Sequence, residues 1–298
     1  MVSAVILSYN RCSEVLITID KLKEHKASLP FDLEIIVVDN ASVDDTSFAI
    51  QQNHPDIILV TKKANNGIAG WNEGFKVATG KYMLVLDDDS CIESGLPEAI
   101  IFLENNITTG ILALNIVDEQ LKGDPDLDME EAWKDREHIV GFIGCGAIIR
   151  KELYDKIGGY SEWIYLYTHE FDYSIRCLDA GYQVQFFEQG VVVHRTSAIN
   201  RSKKRMRIFA ARNEMAIIYK YFSNNRPKYI ARTLLNNLKF IKREGIKSWY
   251  YILLGVIEFL KIKKKIGHTP VSPAVQDFYA ANFWSTKPVL DNLKKRWK

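Results

Sequence analysis

Cysteine is scarce: four residues in 298, Cys12, Cys91, Cys145 and Cys177, stand apart with no C-x-x-C pair. That spacing argues against a thiolate zinc site and suggests a reducing cytosol. Long apolar runs are also missing. The most apolar segment, 249–257 continuing into Phe259-Leu260, falls short of the about 20 residues that span a bilayer. Residues 1–9 lack the basic start and long apolar core of a secretory signal, so they are read as structural. No G-x-G-x-x-G follows the first β-type run; the glycine-punctuated stretch comes after the third, which weakens a nicotinamide-cofactor reading. Nor is charge evenly spread. Residues 1–194 hold 15 Lys+Arg against 32 Asp+Glu, a net of −17, while 195–298 hold 24 against 5, a net of +19. An acidic body therefore carries a basic tail, a pattern that seeks polyanions: nucleic acid, anionic headgroups, or the acidic body itself.

The chain is 47% hydrophobic, enough for one large α/β domain or a domain with an appendage. Apolar β-type runs at 2–7, 33–38, 57–60 and 83–86 alternate with helical patterns. Each ends in polar residues: Ser8-Tyr9-Asn10-Arg11, then Asp39-Asn40-Ala41-Ser42, then Asn65-Asn66-Gly67, then Asp87-Asp88-Asp89. Strand ends of a parallel sheet lie on one edge, so these four make a nucleotide-sized site. Three adjacent carboxylates at a rim repel one another unless a cation sits between them, and oxygen ligands suit Mg²⁺ or Mn²⁺. Blander readings stand beside these. The triplet fits a solvated turn, with Ser90 and Glu93 opening a capping box; Arg11 fits a surface arginine at a helix start, and Asp39 an ordinary helix cap. The glycines at 67, 70 and 74 let a backbone approach either a ligand or a packing partner closely.

Four stretches carry a resemblance: Val-Ile-Leu-Ser-Tyr-Asn-Arg at 5–11, Val-Val-Asp-Asn-Ala-Ser-x-Asp-x-Thr at 37–46, Asn-x-Gly-x-Ala-Gly-x-Asn-x-Gly at 65–74, and Leu-Asp-Asp-Asp at 86–89. In that order and spacing they resemble the inverting family 2 glycosyltransferases. The resemblance implies a GT-A fold: a Rossmann-like α/β domain with a mostly parallel sheet flanked by helices. It implies a nucleotide-sugar donor bound by Ser8, Tyr9, Asn10, Arg11, Asn65, Asn66 and Asn72. Asp39 would contact base or ribose, Asp87 and Asp88 would lie near ribose and diphosphate, and Asp89 would ligate Mn²⁺ or Mg²⁺.

Further along, 110–117 reads as a strand, 118–137 as a polar loop near the acceptor entry, and 140–150 as an apolar strand interrupted by glycines. Tyr160, Trp163, Tyr165 and Tyr167 offer either an acceptor platform or ordinary packing. Glu170 and Asp172 open a helical pattern at 168–176, where the dipole favours acids in any case. Inverting transfer needs one carboxylate base. The resembled family carries an acidic motif followed by Arg four residues on; here it reads His169-Glu170-Phe171-Asp172 with Arg176. Its usual base falls on Glu170, Asp172 stays a second candidate, and His169 replaces an acid. Short β runs at 184–187 and 191–193 lead to His194, which in the resembled family approaches the diphosphate or completes the metal shell; a strand-end His is otherwise ordinary packing.

The basic run 201–207 would close over a diphosphate or lie in solvent, and the Arg212-Asn213 pair that follows resembles bacterial members acting on cell-surface polysaccharides. Residues 219–265 read as helical, with an aromatic and lysine-rich stretch suited to a membrane interface, to the catalytic domain or to a second copy of the chain. The expected organisation is a catalytic domain over 1–200, with a nucleotide-sugar half at about 1–110 and an acceptor half at 111–200, and a basic helical extension over 201–298. Expected partners are a nucleotide-sugar donor such as a UDP- or dTDP-sugar, a glycan or lipid-linked glycan acceptor, a peripheral membrane contact through about 201–265 and a homo-oligomer, but no nucleic acid. The expected location is cytoplasmic, at the inner face of the cell membrane. A nucleotidyltransferase would also use carboxylates and Mg²⁺, but Ser8-Tyr9-Asn10 is not its basic glycine-rich loop. A nucleic-acid binder resting on the basic tail lacks a recognition motif.

Overall fold

The computed structural model of the chain describes residues 1–119, 139–195, 202–239, 241 and 245–283. From residue 120 onward the expected acceptor-side loop lies outside the described residues, as does Arg201 of the basic run.

The first half is a regular alternation: β1 (Val2–Ser8), α1 (Cys12–Ser28), β2 (Leu33–Asp39), α2 (Thr46–Asn53), β3 (Ile58–Thr61), a 3₁₀ turn (Gly67–Gly70), α3 (Trp71–Val77) and β4 (Tyr82–Asp87). Val2, Ala4, Val5 and Ile6 of β1 and Met83 to Leu86 of β4 are wholly buried. Such near-continuous apolar runs belong to strands covered by helices on both faces. β3, β2, β1 and β4 pair in parallel, with Ser8 opposite Asp39 and Leu7 opposite Asp87. That register carries the polar ends of β1, β2 and β4 to one rim.

Beyond β4 the chain departs from simple repetition. Ser90 and Glu93 do not cap a helix: β5 (Ser90–Ser94) follows the Asp turn directly, and α4 (Leu96–Asn105) starts only after Gly95, whose φ is 78°. Then come β6 (Thr109–Asp118), β7 (Ala147–Arg150), α5 (Lys151–Ile157), α6 (His169–Asp179) and β8 (Gln183–His194). Of the strand expected over 140–150, residues up to Gly146 are irregular, with a turn at Gly144-Cys145, and only Ala147–Arg150 joins the sheet. The two short runs before His194 are one strand, kinked where its register against β6 shifts. Among the described residues the sheet has eight strands in the order β3-β2-β1-β4-β7-β6-β8-β5, with β7 antiparallel to both neighbours and β5 antiparallel to β8. Helices flank it, as expected of the α/β class. None of the four cysteines forms a disulfide.

The glycines of 67–74 have a packing reason. A Cβ on Gly70 would stand 2.5 Å from Leu7 Cδ1, and one on Gly74 would stand 2.4 Å from Val5 Cγ1 and 2.9 Å from Val38 Cγ2. The glycine face of α3 thus lies directly on β1 and β2.

The C-terminal residues form helices α7 (Lys203–Tyr221), α8 (Arg226–Leu238), α9 (Lys247–Ile266) and a last helical segment at 273–283. α7 and the last segment share the sheet's core: Ile217, Ile218, Tyr221, Phe222, Val271, Tyr279, Ala280 and Phe283 belong to the same buried cluster as β1 and β4. α9 lies on α7, where a Cβ on Gly255 would be 2.8 Å from the Ile208 carbonyl. Its opposite face leaves Trp249, Tyr250, Leu253, Ile257 and Leu260 exposed. Among the described residues, no helix is long and apolar enough to cross a membrane.

Replacing Gly74 by Ala forces a methyl into the β1–α3 contact. Overpacking of this kind costs roughly 1–3 kcal/mol. The urea midpoint of Gly74→Ala should fall accordingly, whereas Gly181→Ala, where a Cβ meets nothing within 4 Å, carries only backbone strain at φ 87°.

Candidate active site

The Asp87–Asp89 turn is where the sheet's rim becomes charged. Asp87 ends β4 half-exposed, Asp88 is 4% exposed and Asp89 is fully buried. Buried like charges demand compensation, and each oxygen has an identifiable neighbour. Ser8 Oγ donates to Asp88 Oδ2 at 3.1 Å and the Tyr9 N–H donates to the same oxygen at 3.4 Å. Arg11 bridges the turn, its Nη1 donating to Asp88 Oδ1 at 2.9 Å and to Asp89 Oδ2 at 3.0 Å. His194 Nε2 lies 3.0 Å from Asp89 Oδ1. Burial pushes the Asp88 carboxyl up to about 7 despite the attraction of Arg11, with Asp89 and Asp87 adding to the rise. Burial also works against the Arg11 charge, but the Asp88 and Asp89 carboxylates outweigh it and raise its pKa.

The backbone of the turn is held from the other side. Thr18 Oγ1 donates to the Asp88 carbonyl at 2.7 Å, Arg195 Nη2 donates to it at 3.1 Å, and the Arg195 N–H donates to the Asp89 carbonyl at 2.8 Å. Arg195 is itself paired with Glu14 at 2.8 Å. Neither Thr18 nor Glu14 carries a motif; a polar Thr among the buried apolar positions of α1 is the one signal that could have flagged this clamp.

Asn10 and Ala41 adopt left-handed φ values of 54° and 67°. The Asn10 N–H donates to Ser42 Oγ at 2.9 Å, and the Val43 N–H donates to Asn10 Oδ1 at 2.8 Å, so the turns after β1 and β2 are laced together. Asp39, 3% exposed, accepts from the Ser42 N–H at 2.9 Å and from the Ser47 hydroxyl. The turn after β3 hangs from Asn40, which sequence reasoning passed over: its Nδ2 donates to Asn65 Oδ1 and to the Gly67 carbonyl, both at 3.0 Å, and its Oδ1 accepts from the Asn66 N–H at 3.2 Å. Asn66 itself is exposed. Ser8 to Arg11, Asp39, Asn65, Asn66 and Asp87 to Asp89 are therefore joined at one rim. Asn72 is not part of this network: its amide is engaged with the Tyr160 backbone at 2.8 and 2.7 Å.

The second carboxylate group sits at the start of α6. Glu170 is 3% exposed, with Oε2 3.3 Å from His169 Nδ1. His169 stacks on Trp71 at 5.9 Å and meets the Tyr160 edge at 4.9 Å. Facing them is Gly144, where a Cβ would be 2.6 Å from His169 Nε2 and 3.7 Å from Glu170 Oε1. Asp172 is bound differently. Its Oδ1 accepts from Tyr221 at 2.7 Å, and its Oδ2 accepts from Ser161 at 2.8 Å and from Arg176 at 3.0 and 3.2 Å. Burial opposes the Arg176 charge, and Asp172 outweighs that and raises it. Tyr160 is core, 2% exposed; Trp163, Tyr165 and Tyr167 are half-buried.

Tyr167 and Thr168, just before Glu170, both have positive φ, 64° and 61°. Two such residues in succession are strained without glycine. Asn213 of α7 holds them, its Nδ2 donating to the Leu166 carbonyl at 2.8 Å and the Tyr167 carbonyl at 2.9 Å, while Arg212 donates to the Trp163 carbonyl at 3.1 Å. Burial lowers Arg212 to about 10. Of the basic run, Lys203 and Lys204 are exposed, whereas Arg207 is buried.

Comparison with known proteins places this geometry. Residues 3–158 match the profile described as Glycosyl transferase family 2. A protein of Haemophilus influenzae described as an uncharacterized glycosyltransferase is 26% identical over 170 residues. That match takes in 54% of this chain and 56% of the relative, so the chain aligns with little more than half of its length. The solved mannosyltransferase PcManGT from Pyrobaculum calidifontis, in complex with GDP-Man and Mn²⁺, superposes with a TM-score of 0.58 at 19% identity, covering 98% of this chain and 83% of that one. TarS 1–349 of S. aureus, in complex with UDP, gives a TM-score of 0.59 at 15% identity, covering 99% and 91%. These likenesses establish a GT-A-like fold.

Asp172→Asn removes the carboxylate of a pair whose acid is fully buried and whose Arg176 is half-buried. Breaking such a pair costs roughly 3–5 kcal/mol. Its urea midpoint should therefore drop well below wild type, and Glu170→Gln, which keeps the side chain's size and leaves the Asp172–Arg176 pair in place, should shift it by less than half as much.

Proposed function

We propose that this chain, which belongs to glycosyl transferase family 2, transfers a sugar with inversion from a nucleotide-diphosphate donor, a UDP- or dTDP-sugar, to a hydroxyl of a glycan or lipid-linked glycan. The observation that carries the reading is the convergence at one rim of Asp39, the Arg11-bridged Asp87–Asp89 turn and His194, with Gly144 set against His169 and Glu170 at the start of α6.

In this reading Asp39, its carboxylate oriented by Ser42 and Ser47, receives the base or ribose of the donor. Ser8, Tyr9 and Asn10 frame the nucleotide, Asn65 and Asn66 shape the adjoining turn, and Arg11 exchanges part of its carboxylate pairing for the diphosphate, as guanidinium suits either anion. Asn72 acts indirectly, fixing α3 against the segment that leads to the base. A divalent ion, Mn²⁺ or Mg²⁺, fits the donor chemistry of Asp87, Asp89 and His194; when bound, it neutralises charge on the departing diphosphate. Glu170 Oε takes the proton of the acceptor hydroxyl as that oxygen attacks the anomeric carbon from the face opposite the leaving group. One displacement inverts the centre. Asp172, its oxygens occupied by Tyr221, Ser161 and Arg176, serves as a positioning residue that fixes α6. The division into a catalytic unit at 1–200 and an extension at 201–298 is functional in the same sense: the extension buttresses the base through Tyr221, Arg212 and Asn213.

The exposed apolar stripe of α9, ending in Lys261, Lys263, Lys264 and Lys265, lies against anionic lipid at the cytoplasmic face and brings the site to a lipid-linked acceptor. Each lysine near such a surface contributes about 1 kcal/mol.

Two measurements test these readings. Calorimetry with UDP, dTDP and GDP, each with and without Mn²⁺, should give metal-dependent binding of one nucleotide that Asp89→Ala abolishes; Glu170→Gln should keep that binding and lose transfer by roughly 10²–10⁴-fold. Transfer left intact in both variants would sink the assignment. Vesicles rich in phosphatidylglycerol should sediment the chain, phosphatidylcholine vesicles much less, and Leu253→Glu with Leu260→Glu should release it. No sedimentation, with a concentration-dependent dimer broken by the same substitutions, would give that face to a second copy of the chain instead.

A further inference from the structure

One donor in the acidic corner, the Cys145 thiol, belongs to none of the motifs above. Asp87 at the end of β4, Cys145 in the turn before β7 and His194 at the end of β8 each offer a ligand atom, and these atoms lie within 4.8 Å of one another. Cys145 and His194 are 3% and 2% exposed, while Asp87 is half-exposed and leaves the group a polar opening. The sheet brings the three together. β4 pairs with β7, and β5, which starts at Ser90 straight after the Asp turn, pairs Ser90 with His194. Ser90 then fastens the third segment: its Oγ donates to the Cys145 carbonyl at 3.0 Å while accepting from the Asp87 N–H at 2.9 Å.

The turn is Gly144-Cys145-Gly146, and neither glycine has room for a side chain. A Cβ on Gly146 would be 2.1 Å from Ile116 Cδ1, and one on Gly144 would be 2.6 Å from His169 Nε2. Its backbone is thus wedged between β6 and the base helix, and the thiol is the one functional group it presents. Metal–ligand bonds of about 2.0–2.3 Å put neighbouring donors roughly 3–4 Å apart around one ion, so the observed spread closes with about an ångström of adjustment.

We propose that Cys145 supplies a thiolate to the divalent ion of this site, alongside Asp87 and His194, and that the site therefore prefers Mn²⁺, Co²⁺ or Zn²⁺ to Mg²⁺. The proposal rests on the glycosyltransferase reading only in sharing its metal corner. A mixed sulfur, nitrogen and oxygen set disfavours Mg²⁺, which takes oxygen ligands and dehydrates reluctantly, and binds first-row ions in the order Mn²⁺ < Co²⁺ < Zn²⁺. On binding, the Cys145 S–H bond breaks, its proton passes to water, and a sulfur–metal bond forms; no electron is transferred, so no oxidant or reductant is needed. The absence of a C-x-x-C pair excludes a thiolate-rich site but not a single thiolate joined by tertiary structure to Asp and His.

The test is titration of the full chain with Co²⁺, followed by near-ultraviolet absorption. A thiolate-to-Co²⁺ charge-transfer band should grow to saturation at one ion per chain, resist a hundredfold excess of Mg²⁺ and be displaced by Zn²⁺. It should vanish in Cys145→Ser and in Cys145→Ala, both checked for native circular dichroism, and persist in Cys12→Ser and Cys177→Ser. Saturable Co²⁺ binding without the band, or a band that survives both Cys145 variants, overturns the proposal. Nucleotide calorimetry on the same samples separates the two readings. Metal-dependent nucleotide binding without the band leaves the donor site standing and removes Cys145 from it. A Cys145-dependent band without binding of any nucleotide upholds the metal ligand and sinks the donor assignment.

Discussion

Everything at the functional rim depends on the burial of Asp88 and Asp89 in a turn with a third carboxylate beside them. Removing an ion from water costs several kcal/mol even after relaxation. The compensation comes from three separate segments: Ser8, Tyr9 and Arg11 at the end of β1, Thr18 in α1, and His194 with Arg195 at the end of β8. The turn is therefore where the first β-α unit, the fourth strand and the last strand are obliged to meet. The same arrangement gives it chemistry, since carboxylates held apart by a guanidinium can admit a metal ion or a diphosphate in exchange.

A second constraint operates at the start of α6. Two consecutive left-handed residues, Tyr167 and Thr168, aim the helix that bears Glu170, and nothing in their own side chains favours that backbone. α7 holds it through Asn213 and Arg212, and Tyr221 of the same helix binds Asp172. The C-terminal residues are thus no loose appendage; α7 and the segment at 273–283 share the sheet's core, and α7 fixes the geometry at one of its ends. The antiparallel insertion of β7 between β4 and β6 completes the site by carrying Gly144 to Glu170 and Cys145 to Asp87.

Local chemistry by itself determined the first four strands, their polar ends and the common rim, because apolar runs and strand-end acids report burial and emergence within a few residues of themselves. It placed Glu170 and Asp172 at a helix start, where the family resemblance made them candidates, and it identified 67–74 as a place of close backbone approach without naming the partner. The tertiary structure decided the rest. It gave the glycines to β1, β2 and the Tyr165 carbonyl, turned Ser90 from a helix cap into a strand start, and engaged Asp172 with Tyr221 and Arg176. Asn40, Thr18 and Cys145 acquired their neighbours only through sheet order. The reason is physical: which donor neutralises which buried acceptor depends on contacts between segments far apart in the chain, and such contacts leave no period or motif in the sequence.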